Sequence, residues 1–244
     1  MMAEPNSVAL DPKLFADPPA RDSRFEVKER WADCVNLPAD HPLRTSEFLH
    51  RQMNEEVNGM ECSARTITDF PEVDWELKMW LARQCADEAR HAVMFRRLLE
   101  KRGSVVGQYP VMNFQYRIIT RIDSVIGRLA VQNRSFEAGG IDAIAFAIEE
   151  SRAMGDEDIA VLHEAQLADE IVHVRFANEW IRAAIQKDAR NVLRMGTAMA
   201  AAEKAFTQVM GTEGTEGIRY AADRDGRLEA GFTAEEISLA DKRG

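Results

Sequence analysis

The sequence predicts an all-α chain, a four-helix bundle of two antiparallel hairpins joined by a long crossover, with an extended N-terminal arm and an extra C-terminal helix. Three observations predict it. Apolar residues recur at helical spacing over four long stretches. The turn residues leave two short gaps and one long one between those stretches. The octapeptide pattern QxADExxH occurs in the second and fourth stretches, 82 residues apart.

Residues 1–44 hold Pro5, Pro12, Pro18, Pro19, Pro38 and Pro42, and read as an arm wrapping the domain, with one short helix near Phe25 to Val35. The first long helix is expected from Thr45 to Thr68, where Leu49, Met53, Met60 and Ile67 form a stripe, and Phe70-Pro71 closes it. Asp74 is a natural N-cap for a second helix from Trp75 to Arg102, which Gly103 stops. The stretch GSVVGQYPVMNFQ is too long for a tight turn and too rich in Gly, Pro and Val for a helix, so it serves as the crossover. A third helix follows from Phe114 to Met154, with a kink expected at Gly139-Gly140. After a turn at Gly155-Asp156, a fourth helix runs from Glu157 to Gln186 and a fifth from Asp188 to Met210. Residues 45–210 are thus the helical domain and 211–244 a polar tail, in which Thr233 and Glu236 make a capping box for a last short helix.

The 244 residues, 45% apolar and 30% charged, suffice for one large helical domain. A formal net charge of -10 opposes general nucleic-acid binding, which needs clustered Lys and Arg. Cys34, Cys62 and Cys85 form no CxxC pair, so neither a disulfide framework nor a thiolate zinc site is expected. The start of the sequence has no targeting pattern, and no apolar run approaches the ~20 residues of a membrane span. The expected compartment is the cytoplasm.

The two octapeptides are Gln84 to His91 and Gln166 to His173. Glu and His at i and i+3 share a helix face, so each copy offers a carboxylate and an imidazole to one metal site. Asp87 and Asp169 point to a neighbouring face, where they can accept from the far nitrogen of a metal-bound histidine. Gln84 and Gln166 sit one turn before their glutamates, within reach of the ligands.

Each remaining helix must then supply a glutamate at the same depth. Glu88 lies 14 residues past Asp74, and Glu56 lies 14 before Phe70. Glu61 is about 7 Å too shallow at ~1.5 Å per residue. Glu55 faces the more polar side with Gln52 and Gly59, which favours Glu56. In the second hairpin Glu170 is 14 residues past Asp156 and Glu137 is 17 before Met154, whereas Glu149 and Glu150 fall too near the turn. Two divalent cations formally cancel four buried carboxylates that would otherwise be prohibitively costly. Oxygen donors with two imidazoles and no thiolate suit iron or manganese better than zinc, magnesium or calcium.

This pattern resembles the ferritin-like di-iron carboxylate superfamily over residues 45–186, and looks closest to its families of unassigned function. The resemblance implies Glu56, Glu88, His91, Glu137, Glu170 and His173 as ligands of two iron ions (or manganese, or one of each), with one or two glutamates bridging. It further implies an oxidase or oxygenase that activates dioxygen to hydroxylate, N-oxygenate or dehydrogenate a small organic substrate, with electrons from a reductase or ferredoxin. Iron storage or peroxide handling is the second expectation, ahead of a tRNA hydroxylase or a metal-free scaffold. A homodimer is expected only from the general preference of soluble proteins for two-fold assembly. His163, about 10 Å along the axis from Glu170, reads as a packed or supporting histidine, and His41 and His50 as surface or interhelical. Met53, Met60, Trp80, Phe95, Phe136 and Phe176 read as core.

Overall fold

The computed structural model describes residues 21–35, 37–38, 40–215 and 220–241, so half of the predicted arm, residues 1–20 above all, lies outside the described residues. Helix α1 spans Arg44–Asp69 and α2 spans Trp75–Lys101, packed along each other as one hairpin. Asp74 caps α2 as its residue type predicts, its carboxylate accepting from the Leu77 amide at 2.9 Å.

Helix formation was expected near Phe25 to Val35, but the chain there makes a two-residue strand β1, Val27–Lys28, and one 3-10 turn, Trp31–Asp33. Strand β2, Val111–Met112, lies in the crossover and pairs with β1 in parallel, Val27 opposite Val111. β-branched residues on both sides favour extended backbone, and the pairing satisfies amides that an isolated loop would leave exposed.

The third stretch is also not the single helix expected. It divides into α3 (Phe114–Ile119), α4 (Val125–Val131), a π-helical segment (Gln132–Glu137) and α5 (Ala138–Ala153). Arg128 holds the first break, its guanidinium donating to the carbonyls of Ile122 at 3.0 Å and Thr120 at 3.1 Å and pairing with Asp69 at 2.6 Å. Gly139 and Gly140 lie inside regular helix; the irregularity falls one turn earlier, at the π-helical segment. Helix α6, Glu157–Lys187, follows the Gly155 turn (φ 75°) and packs along α5 as the second hairpin.

Helix α7, Asn191–Thr215, breaks at Gly211 and packs against α3 and α4. Two short helices close the chain, α8 (Arg224–Glu229) and α9 (Ala234–Asp241). The capping box forms before α9, Thr233 N to Glu236 Oε2 at 2.8 Å and Glu236 N to Thr233 Oγ1 at 3.2 Å.

The hairpins meet through α2 and α6. One apolar cluster (Leu49, Phe95, Leu99, Ile159) fills one end and another (Leu77, Leu81, Leu129, Ile181) the other. Each such side chain contributes about 1.5–3 kcal/mol on burial. Together the clusters fix the depth of the polar layer between them. Trp80, expected in the core, is 40% exposed and stacks on Phe176 with ring centres 5.7 Å apart. Among the described residues no helix is long and apolar enough to cross a membrane.

Candidate metal centre

All six residues expected as ligands converge in that polar layer. Glu56 comes from α1, Glu88 and His91 from α2, Glu137 from the end of the π-helical segment, and Glu170 and His173 from α6. They form two groups, Glu56, Glu88, His91 and Glu170 in one and Glu88, Glu137, Glu170 and His173 in the other, each with its donor atoms within 4.8 Å of one another. Glu88 and Glu170 belong to both groups. Each group is therefore close enough to hold a metal ion, and two such ions would share two carboxylates.

Both imidazoles turn Nδ1 inward. His91 Nδ1 lies 3.1 Å from Glu56, 3.5 Å from Glu88 and 3.7 Å from Glu170. His173 Nδ1 lies 3.6 Å from Glu88 and 3.5 Å from Glu170. Each Nε2 faces an aspartate of the other octapeptide, His91 with Asp169 at 3.1 Å and His173 with Asp87 at 3.3 Å. Arg90 pairs with Asp169 and lies 3.6 Å from Asp87, so one guanidinium serves both aspartates.

The glutamines cross in the same way. Gln166 donates to Glu56 at 2.8 Å, and Gln84 donates to Glu137 as well as to Glu88 at 3.4 Å. His163, buried, orients the Gln166 amide through Nδ1 at 3.1 Å, and Asn133 does the same for Gln84 at 3.0 Å. Within each octapeptide the Glu and His therefore face the centre while the Gln and Asp reach across to the other hairpin's ligands.

Sequence reasoning missed Gln132 and Asn133, which donate to Glu137 at 3.2 and 2.9 Å. Gln132 and Glu137 are five residues apart, a spacing that a π-helical turn brings onto one face and an α-helical turn does not. A signal was present. Each of the four glutamates follows a carboxamide by four residues, namely Gln52, Gln84, Asn133 and Gln166. Of the other histidines, His50 is fully buried, its Nε2 accepting from the Gly107 amide at 2.8 Å, and His41 is exposed.

Burial pushes Glu56 and Glu137 well above the ordinary carboxylate range, and raises Glu170 as well. Burial acts against charge on His91 too, but the Glu56 and Glu88 carboxylates beside it push the imidazole up to about 11. The hydrogen bond from His173 brings Asp87 down to about 2. Without a cation the cluster thus keeps its balance by holding protons. Glu170 Oε2 and His173 Nδ1, 3.5 Å apart, are both buried without a hydrogen-bond partner among the described residues, as atoms kept for a metal would be.

A cavity of about 600 Å³ opens onto the carboxylate side of the centre, reaching Glu56, Glu88, Glu137 and Glu170. Phe114, Phe136 and Phe206 form an aromatic wall, their ring centres 5.7 to 6.1 Å apart. Glu55, raised by burial to about 7, also lines it.

The model of a family described as "Protein of unknown function (DUF455)" matches residues 4–238. No curated protein and no solved structure matches.

Proposed function

This chain belongs to the DUF455 family, whose description assigns no function, and we propose that it is a ferritin-like di-iron oxidase or oxygenase acting on a small organic substrate. The observation that carries the reading is a pair of carboxylate–imidazole groups sharing Glu88 and Glu170 at the floor of a half-open, organic-sized cavity. Glu56 with His91 and Glu137 with His173 would complete the two ends, and Glu88 and Glu170 would bridge. Four carboxylates, two imidazoles and no thiolate favour iron, with manganese or a mixed pair as the neighbouring choice. When bound, such a pair supplies two-electron reduction of dioxygen.

The chain's own residues do the rest. Asp87 and Asp169 hold the far nitrogens of His173 and His91, which fixes the rings and keeps Nδ1 free for the metal. Gln84 and Gln166 steady the terminal carboxylates Glu137 and Glu56. The aromatic wall would position the apolar part of the substrate. In a hydroxylation, R–H, O2, two electrons and two protons give R–OH and water, with the electrons from a reductase or ferredoxin-class donor. Storage or peroxide handling needs entry only for ions and small oxidants, so a cavity of about 600 Å³ favours an organic substrate.

Elemental analysis of protein expressed with iron, followed by oxygen uptake of the reduced anaerobic protein, tests the proposal. About two irons per chain and stoichiometric oxygen uptake are expected. No bound iron or manganese after reconstitution overturns it.

A further inference from the structure

The ligands occupy only the floor of the cavity. On α1 the lining continues from Glu56 through Glu55, Gln52 and Arg51 toward Arg44, so the wall carries one carboxylate beyond the four assigned to metal. Glu55 stands outside both ligand groups, and its Oε2 is buried without a hydrogen-bond partner among the described residues. The guanidiniums closest to it in charge are directed elsewhere. Arg51 bonds Glu47 through Nε at 3.1 Å and lies over the Trp31 and Phe48 rings, while Arg21 pairs with Glu61 and reaches Asn54 and Asn58 at 3.3 Å.

A buried carboxylate oxygen without a partner is costly, and the group that removes the cost is a cation with N–H donors. The other walls suit the same guest, since Phe114, Phe136 and Phe206 offer aromatic faces that attract an ammonium and cover its carbon skeleton. A third metal ion is a poor alternative, because among the described residues Glu55 has no imidazole or second carboxylate grouped with it.

We propose that the cavity takes a small organic amine, its ammonium held by Glu55 and its apolar body against Phe114, Phe136 and Phe206. The position to be oxidised then lies beside Glu56, the next residue of the same helix. This inference deepens the di-metal reading and rests on it for the oxidation, but the recognition itself is an equilibrium property of the cavity.

Titration calorimetry at fixed ionic strength, with 2-phenylethylammonium, neutral 2-phenylethanol and anionic phenylacetate, tests it on metal-loaded and metal-free full-length protein. The amine is expected to bind at least about tenfold more tightly than either isostere, as a charge-assisted hydrogen bond predicts. Glu55→Gln should abolish that preference, and Glu55→Asp, which keeps the charge on a shorter arm, should retain part of it. Thermal unfolding of each variant shows that the fold is intact. Equal binding of the three probes, preference for phenylacetate, no binding of any probe, or a preference that survives Glu55→Gln overturns the inference. Metal content measured on the same samples reports separately on the centre, so failure of amine recognition and failure of the di-metal reading are told apart.

Discussion

Asp87 precedes Glu88 on α2, yet the imidazole it holds is His173 of α6, with Oδ2 3.3 Å from Nε2. Asp169 of α6 holds His91 of α2 reciprocally, at 3.1 Å. The aspartates therefore couple the two hairpins and fix the ligand rings at once. Replacing either by Asn removes the charge while nearly keeping the shape. Asp87→Asn is expected to lower metal affinity at the His173 end about 10- to 100-fold and to leave the His91 end nearly unchanged. Competitive chelator titration resolves the two ions; an equal loss at both ends contradicts this division.

The shared carboxylates predict a stoichiometric asymmetry. Glu88 and Glu170 belong to both ligand groups, whereas Glu56 and Glu137 each belong to one. Glu88→Ala should remove both ions, and Glu137→Ala only one. Elemental analysis of the purified variants gives the answer directly, and retention of one ion by Glu88→Ala would falsify the bridging assignment.

The protons held in the metal-free centre set its pH response. His91 is raised from an ordinary 6.5 to about 11, so its contribution to stability is fully present below 6.5 and is lost as pH climbs through the window up to about 11. Glu56, Glu137 and Glu170, raised above 4.5, act in the same direction over the range above that value. Glu88, held below 4.5, acts in the opposite sense only under acid conditions. The metal-free protein is therefore expected to melt at progressively lower temperature as pH rises above 6.5. Metal affinity should increase over the same interval, because binding expels these protons. Circular-dichroism melts with and without metal check the pair, and a metal-free melting temperature that rises with pH contradicts it.

Gly59 on α1 leaves room for the Glu88 carboxylate. A methyl there would stand 3.0 Å from Oε1 and 3.1 Å from the carboxyl carbon. In an ordinary helix the change to Ala gains about 1 kcal/mol. Here Gly59→Ala is expected to leave helicity intact while weakening metal binding on the order of tenfold, because the displaced carboxylate serves both groups. Helicity and metal affinity measured on one preparation separate the effects; unchanged affinity would show that Glu88 yields without cost.

Much of this centre was legible in the sequence because helical periodicity is a local property. The octapeptides, the Asp74 cap, the stop at Phe70-Pro71 and the turn at Gly155-Asp156 are sufficient to place Glu56, Glu88 and Glu170 at one depth. What escaped depends on tertiary context. The π-helical turn at Gln132 to Glu137 has no local signature, and the glycine pair beside it drew the expected kink one turn too late. The break before α4 is held by Arg128 reaching carbonyls six and eight residues earlier, which periodicity does not encode. The crossing of Gln and Asp to the opposite hairpin follows from how α2 faces α6, and a motif read on one helix cannot reveal its partner on another.

The division of ligands between two hairpins sets an order of events in time. Neither hairpin alone carries a complete group, so a metal ion would find its full set of donors only after α2 and α6 have docked. Contacts completed after the folding transition state slow unfolding and leave the folding rate nearly untouched. A bound ion would then act as a latch on the docked hairpins, lengthening the life of the native state without hastening its arrival.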